Sequence, residues 1–239
     1  MRLDRYLSEH TPYTRSEIKQ LIRDQRVSVD EQRATRAQQP VLAQQQKICV
    51  DDVRILPRGN GYLMLHKPDG YLCANVDADK PVVTDLLRDS EFASQSWQIV
   101  GRLDLETTGL VLLTTDGQWN HRITSPNSQC GKRYRVELAH ALAPESEQQL
   151  CAGILLHGEK RPTRPAHIER LAPTTVLITI YEGRYHQVKR MFAACGNRVL
   201  KLHREAIGAL SLDPTLAPGA FRPLQQHELA LVIQDKADT

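Results

Sequence analysis

The segment GRLDLETTGLVLLTTDG places two charged residues directly before an apolar run. The run from Leu110 to Leu113 is typical of a buried strand. Arg102 and Asp104 are two positions apart, so in an extended chain their side chains point the same way. An isolated aspartate near a strand usually caps backbone amides in a turn. With a cation beside it, the same carboxylate can instead serve as a nucleophile.

A second polar cluster, EGRYHQVKRM, lies where a predicted strand gives way to a predicted helix. His186, Lys189 and Arg190 share one helix face at i, i+3 and i+4, while apolar residues mark the buried face. If the two polar clusters meet, Lys189 or Arg184 could pair with Asp104. Such a partner would keep a partly buried carboxylate charged and therefore nucleophilic.

Tyr134 lies in KRYRVEL, which alternates like a strand and surrounds the ring with Lys132, Arg133 and Arg135. One interpretation is a strand tyrosine whose ring belongs to the core. The other is an aromatic surface for an unstacked base, bordered by cations that hold phosphates. The pattern alone leaves both interpretations open.

The first quarter of the chain carries the whole net charge. Residues 1–58 contain 11 Lys and Arg against 8 Asp and Glu, and the net charge of the entire chain is +3. Thr14 and Glu17 have the spacing of a capping box, which predicts the start of a helix. One basic stripe follows this helix, formed by Arg15, Lys19, Arg23 and Arg26. The stripe is either a solvated face or a surface for a polyanion.

The Pro/Gly-rich stretch PRGNG predicts a domain boundary between residues 58 and 59. The predicted first domain, 1–58, has two helices followed by short strands. The second, 59–239, alternates strands such as YLMLHK and LVLLTT with helices such as RYHQVKRMFAACG. This mixture is typical of an α+β domain built on a mixed, mainly antiparallel sheet flanked by helices.

Composition excludes several classes of protein. No apolar run approaches the roughly 18 residues that cross a bilayer, and the first residues lack the apolar core of a signal peptide. Five scattered cysteines form no C-x-x-C pair, so we expect reduced thiols, a cytoplasmic location and no cysteine-based zinc site. No glycine-rich nucleotide loop and no clustered His/Cys set is present, which predicts a reaction without cofactor or metal.

Taken together and in order, GRLD with TTGLVLLTTDG, KRYRVEL and EGRYHQVKRMF resemble motifs of the pseudouridine synthases. The N-terminal segment RLDRYLSEHTPYTRSEIKQLIRDQRVSVD resembles the S4 RNA-binding module. The likeness covers nearly the whole chain and favours the S4-containing branch that acts on ribosomal RNA. It departs from that family at His66, where Asn before Lys-Pro is usual, and at Asp30-Glu31, where an Asn/Asp-Gly turn is common.

The resemblance implies roles for the matching positions only. Asp104 matches the catalytic aspartate, and Arg102 matches an arginine that displaces and holds the flipped nucleotide. Tyr134 matches the tyrosine that stacks on the target uracil. Lys189 stands where related branches place an arginine that pairs with the aspartate, and lysine keeps the charge but loses the bidentate fork. Substrate contacts are expected from the other polar residues of the same motif, Arg184, His186 and Arg190. The basic stripe of the first domain is expected to contact RNA.

Within the family, the likeness is greatest to enzymes of the small ribosomal subunit. It therefore implies that a uridine of 16S rRNA is flipped, its N1–C1′ bond is broken, and C5 is joined to C1′. The resemblance leaves open whether Asp104 attacks C1′ or removes the C2′ proton. The expected partner is 16S rRNA within an assembling small-subunit particle, and the enzyme is expected to be a monomer without a membrane partner.

Three other functions are compatible with parts of the sequence. An enzyme of the same family could act on 23S rRNA, or the chain could be a non-catalytic S4-type RNA-binding protein. A glycoside hydrolase could use Asp104 and Glu106 as paired carboxylates. That last interpretation leaves the basic stripe and Tyr134 without a role.

Overall fold

The computed structural model describes residues 1–42, 45–55, 60–93, 95–125 and 128–233. The chain divides into two compact units, 1–61 with 87–97 and 62–86 with 98–239. The predicted boundary between residues 58 and 59 lies in 56–59, outside the described residues. The segment 87–97, which the sequence placed in the second domain, groups with the first unit.

The first unit combines two helices with a four-stranded antiparallel sheet. Its elements are α1 (Leu3–His10), α2 (Arg15–Arg23), β1 (Val27–Val29), β2 (Gln32–Arg33), β3 (Ile48–Val50) and β4 (Val53–Arg54). The strands lie in the order β2-β1-β3-β4. The apolar stripes of both helices pack against β1 and β3 in one core.

Local chemistry explains where elements of the first unit begin and turn. The predicted capping box is confirmed, because the Thr14 side chain accepts from the Glu17 amide and the Glu17 carboxylate accepts from the Thr14 amide. Between β1 and β2, Asp30 and Glu31 have φ angles of 49° and 68°. Two successive positive φ angles suit a tight hairpin. The Asp30 carboxylate stabilises this turn by accepting from the Lys47 amide at 2.8 Å.

The second unit is built on a nine-stranded sheet with flanking helices. Its strands are β5 (Tyr62–Lys67), β6 (Gln98–Val100), β7 (Thr108–Thr114), β8 (Lys132–Leu138), β9 (His167–Ala172), β10 (Thr175–Ile180), β11 (Val199–Ile207), β12 (Leu210–Ser211) and β13 (Phe221–Pro223). Its helices are α3 (Gly117–Thr124), α4 (Pro144–Ala152), α5 (Gln187–Ala194) and α6 (Gln226–Leu231). A 3₁₀ helix covers Val83–Leu87. The strand order is β13-β5-β7-β11-β8-β10-β9, with β12 on β11 and β6 on β7.

The contact between β7 and β11 is the one parallel pairing among the described strands. It sets Gly109 opposite Arg204. Gly109 has a φ of 106°, and a Cβ there would lie 2.3 Å from the Arg204 carbonyl oxygen. Only glycine fits this crossing, so the start of β7 is held close against β11.

The predicted α+β class and the mixed, mainly antiparallel sheet are confirmed. The starts of β7 and α5 differ from the sequence prediction. Strand β7 begins at Thr108, before the continuous apolar run, and α5 begins at Gln187 because His186 has a left-handed φ of 47°. Strand β9 was not predicted, because all but one of its residues are exposed and no alternation results. No helix in the described ranges is long and apolar enough to cross a membrane.

Candidate active site

A cleft of about 1020 Å³ opens in the second unit. Five of the predicted site residues line it: Arg102, Asp104, Tyr134, Arg184 and His186. They come from the loop before β7, from β8 and from the loop before α5. Segments that are far apart in sequence therefore meet around one cavity, as the sequence required of a common site.

Asp104 lies in a turn closed by the hydrogen bond from the Thr107 amide to its carbonyl, 3.1 Å long. Two basic side chains approach the carboxylate. The Nε2 of His186 is 3.5 Å from Oδ1, and the Nζ of Lys189 is 3.9 Å from Oδ2. The Asp104 side chain is 26% exposed. A substrate in the cleft can therefore reach a carboxylate whose charge is balanced from one side.

Lys189 is shared between two carboxylates. Its Nζ donates to Glu106 Oε2 at 3.0 Å, which is shorter than its approach to Asp104. That hydrogen bond lowers the pKa of the Glu106 carboxyl. Glu106 is 77% exposed, so water screens its ion pair with Lys189. We infer that Glu106 orients the ammonium group without enclosing it.

Lys67, at the end of β5, is a residue that the sequence prediction missed. Its side chain is fully buried, and its Nζ donates to the carbonyls of Pro68, Leu105 and Thr107 at 3.0, 2.8 and 2.8 Å. All three ammonium protons are used, while burial lowers the pKa of the group. Two of the acceptors flank Glu106 in the loop that carries Asp104. The signal was available, because a lysine on the inward face of an apolar strand must find buried acceptors.

Arg204, on β11, is a second residue that the prediction missed. It is 1% exposed. Its Nη2 donates to the Gly101 carbonyl at 2.6 Å, and its Nε donates to the Leu110 carbonyl at 2.7 Å. The Nη1 donates to the Tyr134 hydroxyl at 3.5 Å. One guanidinium thus joins both ends of the Asp104 loop to the tyrosine, and no spacing in the sequence indicates that.

The position of Tyr134 is compatible with both interpretations of its sequence. The residue is 7% exposed, so most of the ring belongs to the core, yet part of it lines the cleft. The bond from Arg204 to its hydroxyl fixes the direction of the ring. Cys73 also lines the cleft, but burial raises the pKa of its thiol, and its Sγ accepts from the Leu103 amide at 3.3 Å. A neutral, bonded thiol is a poor nucleophile.

The arginines predicted to contact substrate differ in whether their guanidinium groups already bond to other groups of the protein. They are Arg102, Arg184 and Arg190. Arg102 is exposed and makes no side-chain hydrogen bond or ion pair within the described part of the chain. Arg184 lines the cleft but donates to the carbonyls of Arg161 and Pro162 at 2.8 and 2.6 Å. Arg190 is not a lining residue, and it donates to the His157 carbonyl at 2.7 Å. Arg102 is the arginine of this set that is available for substrate.

The basic stripe of the first unit shows a similar division. Arg15 and Lys19 are exposed, and their side chains have no hydrogen bond or ion pair among the described residues. Arg23 donates to Gln20 at 2.6 Å. Arg26 makes two hydrogen bonds to Asp51, at 2.7 and 2.6 Å. The free part of the stripe is therefore its N-terminal half.

No group of three or more His, Cys, Asp or Glu in the described ranges is arranged to hold a metal ion. The Asp104 carboxylate, with His186 and Lys189 close to it, lies in the same cleft as the exposed Arg102 and the partly accessible Tyr134 ring. This set suits an anionic, ring-containing substrate and a reaction that begins at a carboxylate.

Comparison with known proteins gives this arrangement a family. A family model described as RNA pseudouridylate synthase matches residues 61–194, and the S4 domain model matches residues 1–47. The chain belongs to the RNA pseudouridylate synthase family. A solved structure described as a crystal structure of pseudouridylate synthase is 42% identical, with a TM-score of 0.71, and the match covers 98% of this chain and 100% of that one.

Similar curated proteins carry a more specific name. This pseudouridine synthase is 45% identical over 233 residues to the ribosomal small subunit pseudouridine synthase A of Escherichia coli, with 98% of this chain and 100% of the relative covered. The protein of that name from Vibrio cholerae is 44% identical, covering 97% and 99%. The one from Pasteurella multocida is 46% identical, covering 96% and 98%. The expectation of an rRNA pseudouridine synthase with an S4 domain is confirmed, and the hydrolase and non-catalytic interpretations are set aside.

Proposed function

We propose that this enzyme converts one uridine of small-subunit (16S) ribosomal RNA into pseudouridine in the cleft that contains Asp104. The observation that carries the proposal is the approach of Lys189 and His186 to Asp104 in a cavity also lined by Tyr134. The choice of small-subunit RNA is supported by the names of relatives similar over their whole length.

The target uridine must leave its stack to enter the cleft, at a cost of roughly a few kcal/mol. Arg102 is exposed and unbonded in the described part of the chain, so it can contact a phosphate and hold the extruded nucleotide. The uracil then stacks on the accessible part of the Tyr134 ring. Both interactions offset the cost of unstacking.

The reaction begins at the Asp104 carboxylate. Attack at C1′ and removal of the C2′ proton are the two routes compatible with this group, and either one breaks the N1–C1′ bond. The freed uracil rotates and C5 joins C1′, which breaks the Asp104–C1′ bond in the first route and is accompanied by return of the proton to C2′ in the second. The proton lost from C5 is balanced by one gained at N1, so the product is an isomer of the substrate. Lys189 and His186 stabilise the carboxylate before the reaction.

The loop that carries Asp104 is held from two sides, which supports its role. Lys67 bonds the carbonyls of Leu105 and Thr107, and Arg204 bonds those of Gly101 and Leu110. These bonds exist before substrate arrives, so the position of the carboxylate is set in advance. Preorganised groups lower a barrier because they need not reorient during the reaction.

The direct test is Asp104→Asn. Asparagine is nearly isosteric but is neither a nucleophile nor a base, so we expect turnover to fall more than about 10³-fold while RNA binding persists. Turnover is measured by release of the C5 hydrogen from labelled RNA, and binding by filter retention. Glu106→Gln is the matched control, with most activity retained. An active Asp104→Asn, or an equal loss in Glu106→Gln, would overturn the assignment.

The substrate is tested by mapping pseudouridines with carbodiimide and primer extension in ribosomal RNA from a strain that lacks this gene. We expect one modification to disappear from small-subunit RNA. A missing modification in large-subunit RNA instead would move the enzyme to the other subunit.

We further propose that the enzyme acts in the cytoplasm as a monomer on an assembling small-subunit particle, since a finished subunit can bury the target loop. The size of the enzyme–particle complex tests whether the enzyme acts as a monomer. Turnover on the particle, compared with turnover on free transcript, tests whether the particle is the substrate.

A further inference from the structure

Tyr185 is an exposed aromatic residue at the rim of the cleft. It is 76% exposed and is a lining residue of the same cavity as Asp104 and Tyr134. Exposed large side chains that occur singly need no explanation. The surroundings of Tyr185, however, distinguish it from such a residue.

One face of the Tyr185 ring is covered and the other is open. The ring stacks on the His186 imidazole, with centroids 3.9 Å apart and planes inclined by 17°. The Nε2 of the same imidazole is 3.5 Å from Asp104 Oδ1. A continuous path of contacts therefore leads from the carboxylate through His186 to the tyrosine. Because the residue remains 76% exposed despite this stack, the free area lies on the opposite side.

The backbone that carries Tyr185 is fixed. His186 has a left-handed φ of 47°, which is uncommon for a residue other than glycine and recurs at functional sites. The buried Gln187 side chain accepts from the Arg184 amide at 2.8 Å and donates to Glu182 at 2.8 Å. Arg190 Nη1 donates to the Tyr185 carbonyl at 3.1 Å. A ligand that stacks on Tyr185 loses little affinity to ordering of this loop.

Tyr134 and Tyr185 differ in the ring area that each offers to a base. Tyr134 is 7% exposed and offers only a small area inside the cleft, which suits the extruded uridine. Tyr185 offers a broad open face at the rim. Resting on the proposed function, we propose that a nucleobase directly next to the target uridine stacks on the outer face of Tyr185. The site would thereby recognise two bases of the RNA, one extruded and one flanking.

The proposal is tested by pairing variants of the enzyme with variants of the RNA. The RNA is a fragment centred on the uridine that mapping identifies, in whichever subunit that lies, with an abasic residue placed on one side or the other. We expect Tyr185→Leu to weaken binding of the unmodified fragment about tenfold, the effect of losing one base stack. Tyr185→Trp should keep the affinity.

For wild type, one of the two abasic fragments should bind about tenfold more weakly than the unmodified fragment. For Tyr185→Leu, the same abasic fragment and the unmodified fragment should bind equally well. Leu200→Ala, at a position 55% exposed on β11 and outside the cleft lining, is the control and should match wild type. Equal affinity of wild type and Tyr185→Leu, or abasic effects that persist in the variant, would overturn the stacking role. Mapping to large-subunit RNA would contradict only the proposed substrate.

Discussion

The free cations of the first unit lie on an exposed helix face, whereas most cations around the cleft are bonded to backbone carbonyls or carboxylates. Arg15 and Lys19 of α2 are unbonded within the described part of the chain. Lys67 and Arg204 each make three hydrogen bonds while almost completely buried. A buried charge must be bonded to persist, so it positions other groups. An exposed charge keeps its mobility and can exchange counterions for phosphates.

Arg102 is the exception that makes the comparison useful. It belongs to the cleft by position, but it resembles Arg15 and Lys19 in being exposed and unbonded among the described residues. Basic residues of this enzyme therefore divide by bonding and burial more than by the unit that contains them. The four predictions below test that division, from the largest expected effect to the smallest.

The largest effect is expected at Arg204. Arg204→Met removes donors from three buried acceptors, and we expect a loss of about 2–4 kcal/mol in the free energy of unfolding. Turnover should fall more than RNA affinity, because the loop of Asp104 loses its alignment. Urea denaturation and single-turnover rates measure both. Arg135→Met, at the same strand pair but exposed and bound to Glu205 at 2.7 Å, is the control and should cost little. If the two variants were equally stable, Arg204 would have no role in positioning the Asp104 loop.

Lys189 should give the next largest effect. Lys189→Met removes the ammonium group near Asp104 and leaves the His186 imidazole as its neighbour, so we expect turnover to fall roughly 10- to 100-fold. Lys189→Arg retains the charge and should keep part of the rate. Single-turnover rates at saturating RNA separate this loss from weaker binding. If Lys189→Met reacts like wild type, the cation near Asp104 has no part in the reaction.

The basic stripe should affect affinity and its salt dependence. Removing Arg15 and Lys19 together, as Arg15→Gln with Lys19→Gln, should reduce the slope of log affinity against log salt by about 1.4, which corresponds to two contacts with single-stranded phosphates. Arg26→Gln should change the slope less, because the two hydrogen bonds to Asp51 already occupy this guanidinium. Titrations of RNA binding between low and moderate salt measure the slope. If Arg26→Gln changed the slope more than the double variant does, the bonded cation would contribute more to RNA binding than the free ones, which contradicts the prediction.

The smallest effect concerns a bonded pair remote from the chemistry. Hydrogen bonds from Thr215 and Arg222 lower the pKa of Asp213 to about 2. A carboxyl whose pKa is lowered on folding stabilises the protein above its unfolded pKa of about 3.9. That contribution is lost as the pH falls through 2. Asp213→Asn should therefore be less stable than wild type at neutral pH, and the difference should shrink below pH 4. Urea denaturation at a series of pH values checks this, and a difference independent of pH would contradict it.

Elements with regular polarity could be predicted from the sequence, and those fixed by distant partners could not. Strand β8 is bounded as its alternation indicates, and the start of α2 follows from Thr14 and Glu17. The start of α5 was set too early, because the apolar spacing of a helix does not reveal that His186 is left-handed. The edge strand β9 was not predicted, because nearly all of its residues are exposed and the sequence therefore shows no alternation of buried and exposed side chains.

The candidate site shows the same limit. The sequence predicted Asp104 and Tyr134 as residues that contact substrate, because both belong to motifs that resemble a family. Lys67 was missed although its position in an apolar strand indicated a buried ammonium group. Arg204 was missed because its role appears only when β7, β8 and β11 lie side by side. Two of its partners are backbone carbonyls, which leave no trace in the identity of the residues that supply them. The spacing of charges on α2 likewise could not reveal that the Arg26 guanidinium forms an ion pair with Asp51.

Arg204 also determines when the site can first exist during synthesis. It is separated from Gly101 by 103 residues and from Leu110 by 94. The nascent chain therefore exposes the Asp104 loop long before the donor that fixes its two ends has been translated. Contacts of such long separation form late, after the local hairpins. A chain released before β11 would contain Asp104 and Tyr134 without their common clamp, so premature termination yields an inactive product instead of a partly active one.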